Sequence, residues 1–236
     1  MSAGEVGRVA AIWRYPVKSM AAEPLDEVHV SWHGLAGDRR WAFVQSGLER
    51  SGFPWLTIRE RSDMWQYRPS FADPAQPEKS RTLVRTPGGH ELDVVDPALA
   101  EELAPGARVI KQNRGVFDVS PLSLTTTRSV AAIGELVGER LEPHRFRPNI
   151  LIEAGTGEPF AEDDWVGSVL RIGEARMRVD LRDERCVMVN VDPASSQRDP
   201  NVLKAIARER DACLGVYGST VTPGRIAVGD AVLLAA

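Results

Sequence analysis

A succession of short apolar or alternating runs, each ended within a few residues by charge, glycine or proline, limits what this chain can build. Val28, Val30 and Trp32 alternate with Glu27, His29 and Ser31, which is the period of a half-buried strand. Similar runs lie at Trp41 to Gln45, Thr82 to Arg85, Leu92 to Val95, Ile150 to Ile152 and Val169 to Ile172. Met177 to Leu181, Val187 to Val191, Ile226 to Val228 and Val232 to Leu234 continue the pattern. Gly88-Gly89 between two runs is a hairpin turn, and Gly229-Asp230 sits at another turn. Many short strands with this punctuation predict one or two small barrels, because closure removes exposed strand edges.

Helical signals are sparse. Asp96-Pro97 pairs an N-cap with proline at the first helical position, Leu99 and Leu103 lie one turn apart, and Pro105-Gly106 ends the helix. Thr125 to Thr127 can cap a second helix whose apolar face carries Val130, Ile133, Leu136, Val137 and Leu141. Asp199-Pro200 repeats the cap for a third, with Val202, Leu203 and Ile206 as its buried stripe. Together these cover about 15% of the chain, against about a third in an average globular protein. The expected class is mainly β with a few short helices (α+β). Asp73 to Lys79, with Pro74 and Pro77, reads as a surface loop. A composition break at Lys111 to Gly115 sets a soft boundary between residues 5–112 and 113–236.

Length and charge exclude several functions. At 236 residues the chain holds one or two domains and a full core without staples. A net charge of −4 argues against a broad nucleic-acid surface, which needs clustered Lys and Arg. The aromatic and Arg-rich stretch Trp55 to Phe71 could stack bases, but core and rim packing is the better reading on an acidic chain. No targeting pattern or run of about 20 apolar residues is present, so a cytoplasmic protein with no membrane contact is expected. There is no phosphate loop of either standard type and no nucleophile elbow, which disfavours an NTPase, a Rossmann dehydrogenase and a serine hydrolase. His29 and His33 are four apart, but on strand and turn rather than on one helical face.

Two cysteines cannot make a disulfide framework or ligate an iron–sulfur cluster, so a reducing compartment is expected. Cys213, among Ala212, Leu214 and Gly215, reads as a buried, inert thiol. Cys186 follows Arg182-Asp183-Glu184-Arg185 and opens the apolar run Val187-Met188-Val189. Nearby arginines favour its thiolate, and the two carboxylates oppose that. From spacing alone a structural thiol, a soft metal ligand and a nucleophile all remain open.

Five motifs occur in order: Tyr15-Pro16-Val17-Lys18-Ser19, Gly37-Asp38-Arg39-Arg40-Trp41, Phe146-Arg147-Pro148-Asn149-Ile150, Arg185-Cys186-Val187-Met188-Val189-Asn190-Val191-Asp192-Pro193, and Pro223-Gly224 with Val228-Gly229-Asp230. In this order they resemble the MOSC family, which includes the C-terminal domain of molybdenum cofactor sulfurases and the amidoxime-reducing proteins. The first half is similar to the N-terminal β-barrel domain that accompanies it. The resemblance implies a MOSC-type β-barrel at 113–236 and a smaller N-terminal β-barrel domain at 5–112. It also implies a molybdenum–molybdopterin cofactor whose metal is held by the Cys186 thiolate. Lys18, Ser19 and Arg39 match residues that hold the cofactor's phosphate. Arg147 and Asn149 match contacts to the pterin and phosphate, and Ser120, in Asp118-Val119-Ser120-Pro121, matches a further hydroxyl contact. Glu184 and Arg185, beside the metal position, are expected cofactor contacts as well.

Chemistry agrees with that set. A terminal phosphate carries nearly two charges and three acceptor oxygens, which suit an ammonium, a forked guanidinium and a hydroxyl. An amide such as Asn149 can both donate to and accept from a pterin edge. Amidoxime-reducing relatives carry Cys-x-Arg-Cys, whereas this chain has Asp183-Glu184-Arg185-Cys186. Two carboxylates beside an anionic cofactor should weaken its binding or change what approaches the metal. The expected activity is an oxidoreductase that reduces N-hydroxylated, N–O bonded small molecules. Cys186 would fix the metal, Asp183 or Glu184 would relay a proton, and a separate reductase or carrier would supply electrons. The rival reading is a molybdenum cofactor or sulfur carrier with no small-molecule turnover.

Overall fold

The computed structural model describes residues 4–155 and 157–235. Among them are three α-helices, α1 (Pro97–Leu103), α2 (Thr127–Val137) and α3 (Pro200–Arg210), and sixteen strands. The first eight strands are β1 (Gly4–Arg14), β2 (Glu23–Leu25), β3 (Glu27–Ser31), β4 (Gly34–Leu35), β5 (Trp41–Val44), β6 (Arg68–Phe71), β7 (Thr82–Arg85) and β8 (Glu91–Asp93). They are followed by β9 (Arg108–Lys111), β10 (Leu122–Thr126), β11 (Ile150–Ala154), β12 (Val169–Ile172) and β13 (Ala175–Glu184). The last are β14 (Cys213–Thr222), β15 (Gly224–Ala227) and β16 (Ala231–Ala235).

Seven strands close a barrel in the order β11-β10-β14-β13-β12-β16-β1, with β1 pairing back onto β11. The mainly β class with a few short helices therefore holds. All pairs in the barrel are antiparallel except β10 with β11. Its interior is filled by side chains from every wall, among them Val9, Ile12, Leu124, Ile152, Leu170, Val179, Val216 and Val232. β3, paired between β15 and β4, lies against the same core through Val28 and Val30.

Residues 41–111 form a smaller β unit of two sheets, β5-β9 and β6-β7-β8. Its core joins Phe43, Ile58, Met64, Trp65, Tyr67, Val84 and Leu99 to Tyr15 and Val17, which leave the end of β1, and to Val191 from the second half. The soft boundary at 112/113 lies between β9 and β10, while residues 4–35 pair across it with second-half strands. A third cluster packs α2 and α3 on Phe146 and Leu214.

All three helices start at the expected caps. Asp96, Thr126 and Asp199 each accept a backbone N–H of the first turn. Leu141 is buried as expected, but beyond α2, which ends at Gly138 in the left-handed region. Leu136 is exposed. Two strand expectations fail. The alternation of β3 stops at Ser31, and Trp32 lies in the turn to β4 with 64% of its surface exposed. Val187 to Val191 contains a 3₁₀ turn (Val187–Asn190) rather than a strand. The reason is a missing partner: Cys213 begins β14 opposite Glu184, so the ladder has nothing to pair with beyond that residue. Asp73 to Lys79 is a loop, although Pro77 is buried. Trp55 to Phe71 packs inward through Leu56, Ile58, Met64, Trp65, Tyr67 and Phe71. Cys213 is half-buried rather than a core thiol.

β1 carries a bulge beside Gly7, where a Cβ would stand 2.4 Å from the Glu153 carbonyl oxygen and 3.1 Å from the Ala154 Cα. Backbone cannot yield cheaply there. Gly7→Ala should therefore destabilise the fold by about 1–3 kcal/mol in chemical denaturation, whereas Gly4→Ala, with nothing within 4 Å, should leave stability unchanged. Equal midpoints for the two variants would contradict this packing.

Candidate functional site

The end of the barrel that faces the smaller unit opens into a cavity of about 190 Å³. Lys18, Ser19, Arg39, Ser120, Arg147, Asn149, Asp183, Glu184, Arg185 and Cys186, scattered over 169 positions of sequence (186 − 18 + 1), all line it. Arg59, Asp118, Ser123, Arg145 and Tyr217 complete its polar wall. Six cationic side chains (Lys18, Arg39, Arg59, Arg145, Arg147, Arg185) face three carboxylates (Asp118, Asp183, Glu184). The excess of positive charge in a confined, low-dielectric space suits an anion.

Three of the lining residues hold backbone conformations that L-residues rarely adopt. Ser19, Arg39 and Arg147 have φ of 68°, 48° and 54°. Such residues cost about 1–3 kcal/mol each and persist where the surroundings over-determine them. Each sits where the chain turns sharply: after the β1 exit, after Gly37-Asp38, and after the 3₁₀ turn Pro143–Phe146. The turns aim side chains from three distant segments at one point.

Asp38 holds those segments together. Its fully buried carboxylate accepts the Tyr15 N–H at 2.7 Å and the Asn149 Nδ2 at 3.1 Å, and pairs with the Arg39 guanidinium. Asn149, also fully buried, accepts the Ser123 N–H at 3.2 Å and donates to the Trp13 carbonyl at 3.2 Å. With donor and acceptor both engaged inside the protein, Asn149 positions its neighbours rather than offering a free amide edge. Burial opposes the Arg39 charge, but Asp38 and Tyr15 outweigh it and raise its pKa.

Arg147 is the opposite case. Its guanidinium stacks 4.2 Å from the Tyr15 ring centroid and 4.6 Å from that of Trp65, and Nη1 donates to the Met20 carbonyl at 2.8 Å. Nη2 has no partner, and neither does the buried Ser19 hydroxyl. Burial pushes the Arg147 pKa down to about 10, with Arg39 adding repulsion. Burial likewise lowers Lys18, although Asp118 pulls it back. Buried polar atoms left without a partner cost about 1–3 kcal/mol each. Two such donors among cations are what a multi-oxygen anion would satisfy.

Cys186 lies just beyond β13, at the N-terminus of the Val187–Asn190 turn, half-buried, with its Sγ 3.3 Å from Arg59 Nη2. Arg185 does not point freely into the cavity. It donates to the Leu214 carbonyl at 2.8 Å through Nε and to the Phe146 carbonyl at 2.7 Å through Nη1, and pairs with Asp183 at 2.8 Å. It thus anchors the backbone just before Cys186. Asp183 is buried, accepts the Ser123 hydroxyl at 2.9 Å, and leaves Oδ1 without a partner. Burial raises its pKa to about 6 against the pull of Arg185. Glu184 sits exposed on the rim.

The expected site residues are thus brought together. Arg59 was missed because it lies in the stretch read as packing. The Arg198 guanidinium, which donates to the Ile58 and Arg59 carbonyls at 2.9 and 2.7 Å, holds it in place. Tyr217 and Ser123 carry no local signal in sequence. Their roles come from β14 and β10 being neighbours in the barrel. The cavity fits a group with a terminal phosphate and a thiophilic metal, because its lining combines unpaired buried donors with a half-buried cysteine sulfur.

A family model described as MOSC domain matches residues 111–233, and one described as MOSC N-terminal beta barrel domain matches residues 6–115. The molybdenum cofactor sulfurase of Drosophila grimshawi is 30% identical over 248 residues, covering 86% of this chain and 31% of that protein. The chain therefore spans about a third of that relative's length. Human mitochondrial amidoxime-reducing component 1 is 24% identical over 295 residues, covering 98% of this chain and 83% of that protein. The crystal structure of the YuaD protein from Bacillus subtilis superposes with a TM-score of 0.56 at 15% identity, covering 99% of this chain and 98% of that one. That likeness concerns the fold.

The raised Asp183 carboxyl generates a stability prediction. Its folded pKa of about 6 lies above its ordinary 3.8, so the folded state binds this proton more tightly. Its contribution is fully present below about pH 4 and is lost as pH rises through about 6. At about 1.4 kcal/mol per pH unit the loss approaches 3 kcal/mol. Asp183→Asn stays neutral, so its stability relative to the parent should rise by about 2–3 kcal/mol between pH 4 and pH 7.5. A pH-independent difference in unfolding free energy would refute the assignment.

Proposed function

Since this chain belongs to the MOSC family, we propose that its cavity holds a molybdenum–molybdopterin cofactor and that the protein is an oxidoreductase acting on N-hydroxylated, N–O bonded small molecules. The observation that carries this reading is the convergence of Lys18, Ser19, Arg39 and Arg147, with two unpaired donors, on the same cavity as the Cys186 sulfur. The sulfurase and the amidoxime-reducing component named above support a molybdenum-cofactor role, and the latter supports reduction of N–O bonds. The two family matches meet at residues 111–115, which supports a division into 5–112 and 113–236.

When bound, such a cofactor supplies two-electron chemistry. The chain's own groups do the rest. Lys18 places a point charge, Arg39 and Arg147 place forks, and the Ser19 hydroxyl donates to a terminal phosphate, while Ser120 adds a further hydroxyl on the same wall. Cys186 holds the metal, and Arg185 fixes the backbone that presents it. Asp183, near half-protonated around pH 6 and with Oδ1 unpaired, can hold and return the proton that N–O cleavage consumes. Glu184 stands exposed at the rim, where the cavity meets solvent. Electrons come from a separate reductase or carrier protein.

Protein produced in a host that makes the cofactor should contain near-stoichiometric molybdenum by mass spectrometry, and Cys186→Ala should abolish it. Lys18→Ala and Arg147→Ala should lower retention by about tenfold or more, the size expected for one lost charge-assisted hydrogen bond, with melting curves of the apo proteins confirming that both variants remain folded. Arg147→Lys should also be defective, because an ammonium cannot both stack and fork. Metal absent from the folded parent protein would overturn the reading. Molybdenum present without reduction of benzamidoxime by a chemical donor would turn it toward a cofactor carrier.

A further inference from the structure

The cationic wall is not empty-handed. Lys18 Nζ, almost wholly buried, donates to the Val116 carbonyl at 3.2 Å and pairs with one oxygen of Asp118. The other Asp118 oxygen lies 3.3 Å from Arg59 Nη2, the same nitrogen that reaches the Cys186 sulfur. Burial raises the Asp118 carboxyl, and Lys18 and Arg59 more than offset it, so it remains a carboxylate. Asp118 lies in an irregular segment between β9 and β10, with about a third of its side chain exposed, so it can move without breaking a ladder. By contrast, the Ser19 hydroxyl and Arg147 Nη2 are buried on strained, over-determined backbone and have no partner at all.

We propose that Asp118 is a specificity-determining residue: a built-in carboxylate that occupies the anion seat and makes it select dianionic phosphate or sulfate-like groups over singly charged anions. This takes from the functional reading only that Lys18, Ser19, Arg39 and Arg147 form an anion seat, and nothing about the metal. A singly charged anion that displaces Asp118 from Lys18 exchanges one unit charge for another and gains little. A dianion brings a second charge and enough oxygens to reach Ser19 Oγ and Arg147 Nη2 as well, so it wins the exchange. Removing the carboxylate charge removes the competitor, and a monoanion can then bind Lys18 unopposed. A phosphomonoester end is thereby accepted and a phosphodiester refused, whatever molecule carries them.

The test uses the metal-free 236-residue chain and titration calorimetry with three probes: inorganic phosphate, sulfate and dimethyl phosphate. The parent should bind sulfate across pH 5.5 to 8, weakening gradually as the Asp183 carboxyl in the same cavity ionises through about pH 6. Relative to sulfate, its phosphate affinity should fall as pH drops below neutrality, where inorganic phosphate takes up a proton and becomes a monoanion, and its dimethyl phosphate affinity should be at least about tenfold weaker than for sulfate. Asp118→Asn should bind dimethyl phosphate at least about tenfold more tightly than the parent, narrowing the selectivity, and Asp118→Ser should do the same, with melting curves confirming both folds. Unchanged or weaker dimethyl phosphate binding in both variants overturns the proposal, as does an absence of anion binding by the parent. The expected anion pattern in a protein that never acquires molybdenum would leave this inference standing and sink the cofactor reading instead.

Discussion

The site depends on one buried carboxylate. Asp38 accepts the Tyr15 amide from the exit of β1, the Arg39 guanidinium from its own turn, and the Asn149 amide from the entrance to β11. These segments belong to three of the ordered motifs and are remote in sequence. A charged group with no solvent contact is tolerable only when its oxygens are fully engaged. Asp38 therefore imposes the approach of β1 and β11 near their shared end and, with it, the position of Arg39. Asn149 extends the constraint to β10 through the Ser123 amide, and Ser123 in turn holds Asp183.

Around this fixed centre the protein divides its polar groups into two kinds. Arg185 and Asn149 have their donors committed internally and set geometry. Arg147, Ser19 and Asp183 keep an unpaired atom each and are free to act on a ligand. The separation limits the mutual repulsion of the cavity's many arginines. Most of that charge is neutralised by Asp38, Asp118 and Asp183, and the remainder is spread over aromatic faces at Tyr15, Trp65 and Phe117.

Much of this was legible in sequence. The strand runs, the three helix caps and the barrel class follow from period, proline and N-cap chemistry, which act locally. The site residues were legible through ordered motifs, whose joint occurrence outweighs any single one. What local chemistry could not report was partnership. Val187 to Val191 has strand composition but no neighbouring strand to pair with, and forms a turn. Trp32 continues an apolar alternation past the point where the sheet ends. Arg59 sits in an aromatic stretch that does pack inward, and only its own side chain turns toward Cys186. Asn149 looks like a free amide until its partners Asp38, Ser123 and Trp13 are known.

The barrel also has an unusual seam. Its first strand meets its last, with Gly4 opposite Leu234, 230 positions (234 − 4) further along the chain. Lys18 and Ser19 follow directly from that first strand and inherit its placement. Joining such distant segments carries an entropic penalty that grows with the logarithm of their separation, and topologies of this kind assemble slowly. The cationic wall is thus finished only when the hoop is fastened, so a chain still emerging from synthesis offers no premature grip for a highly charged guest.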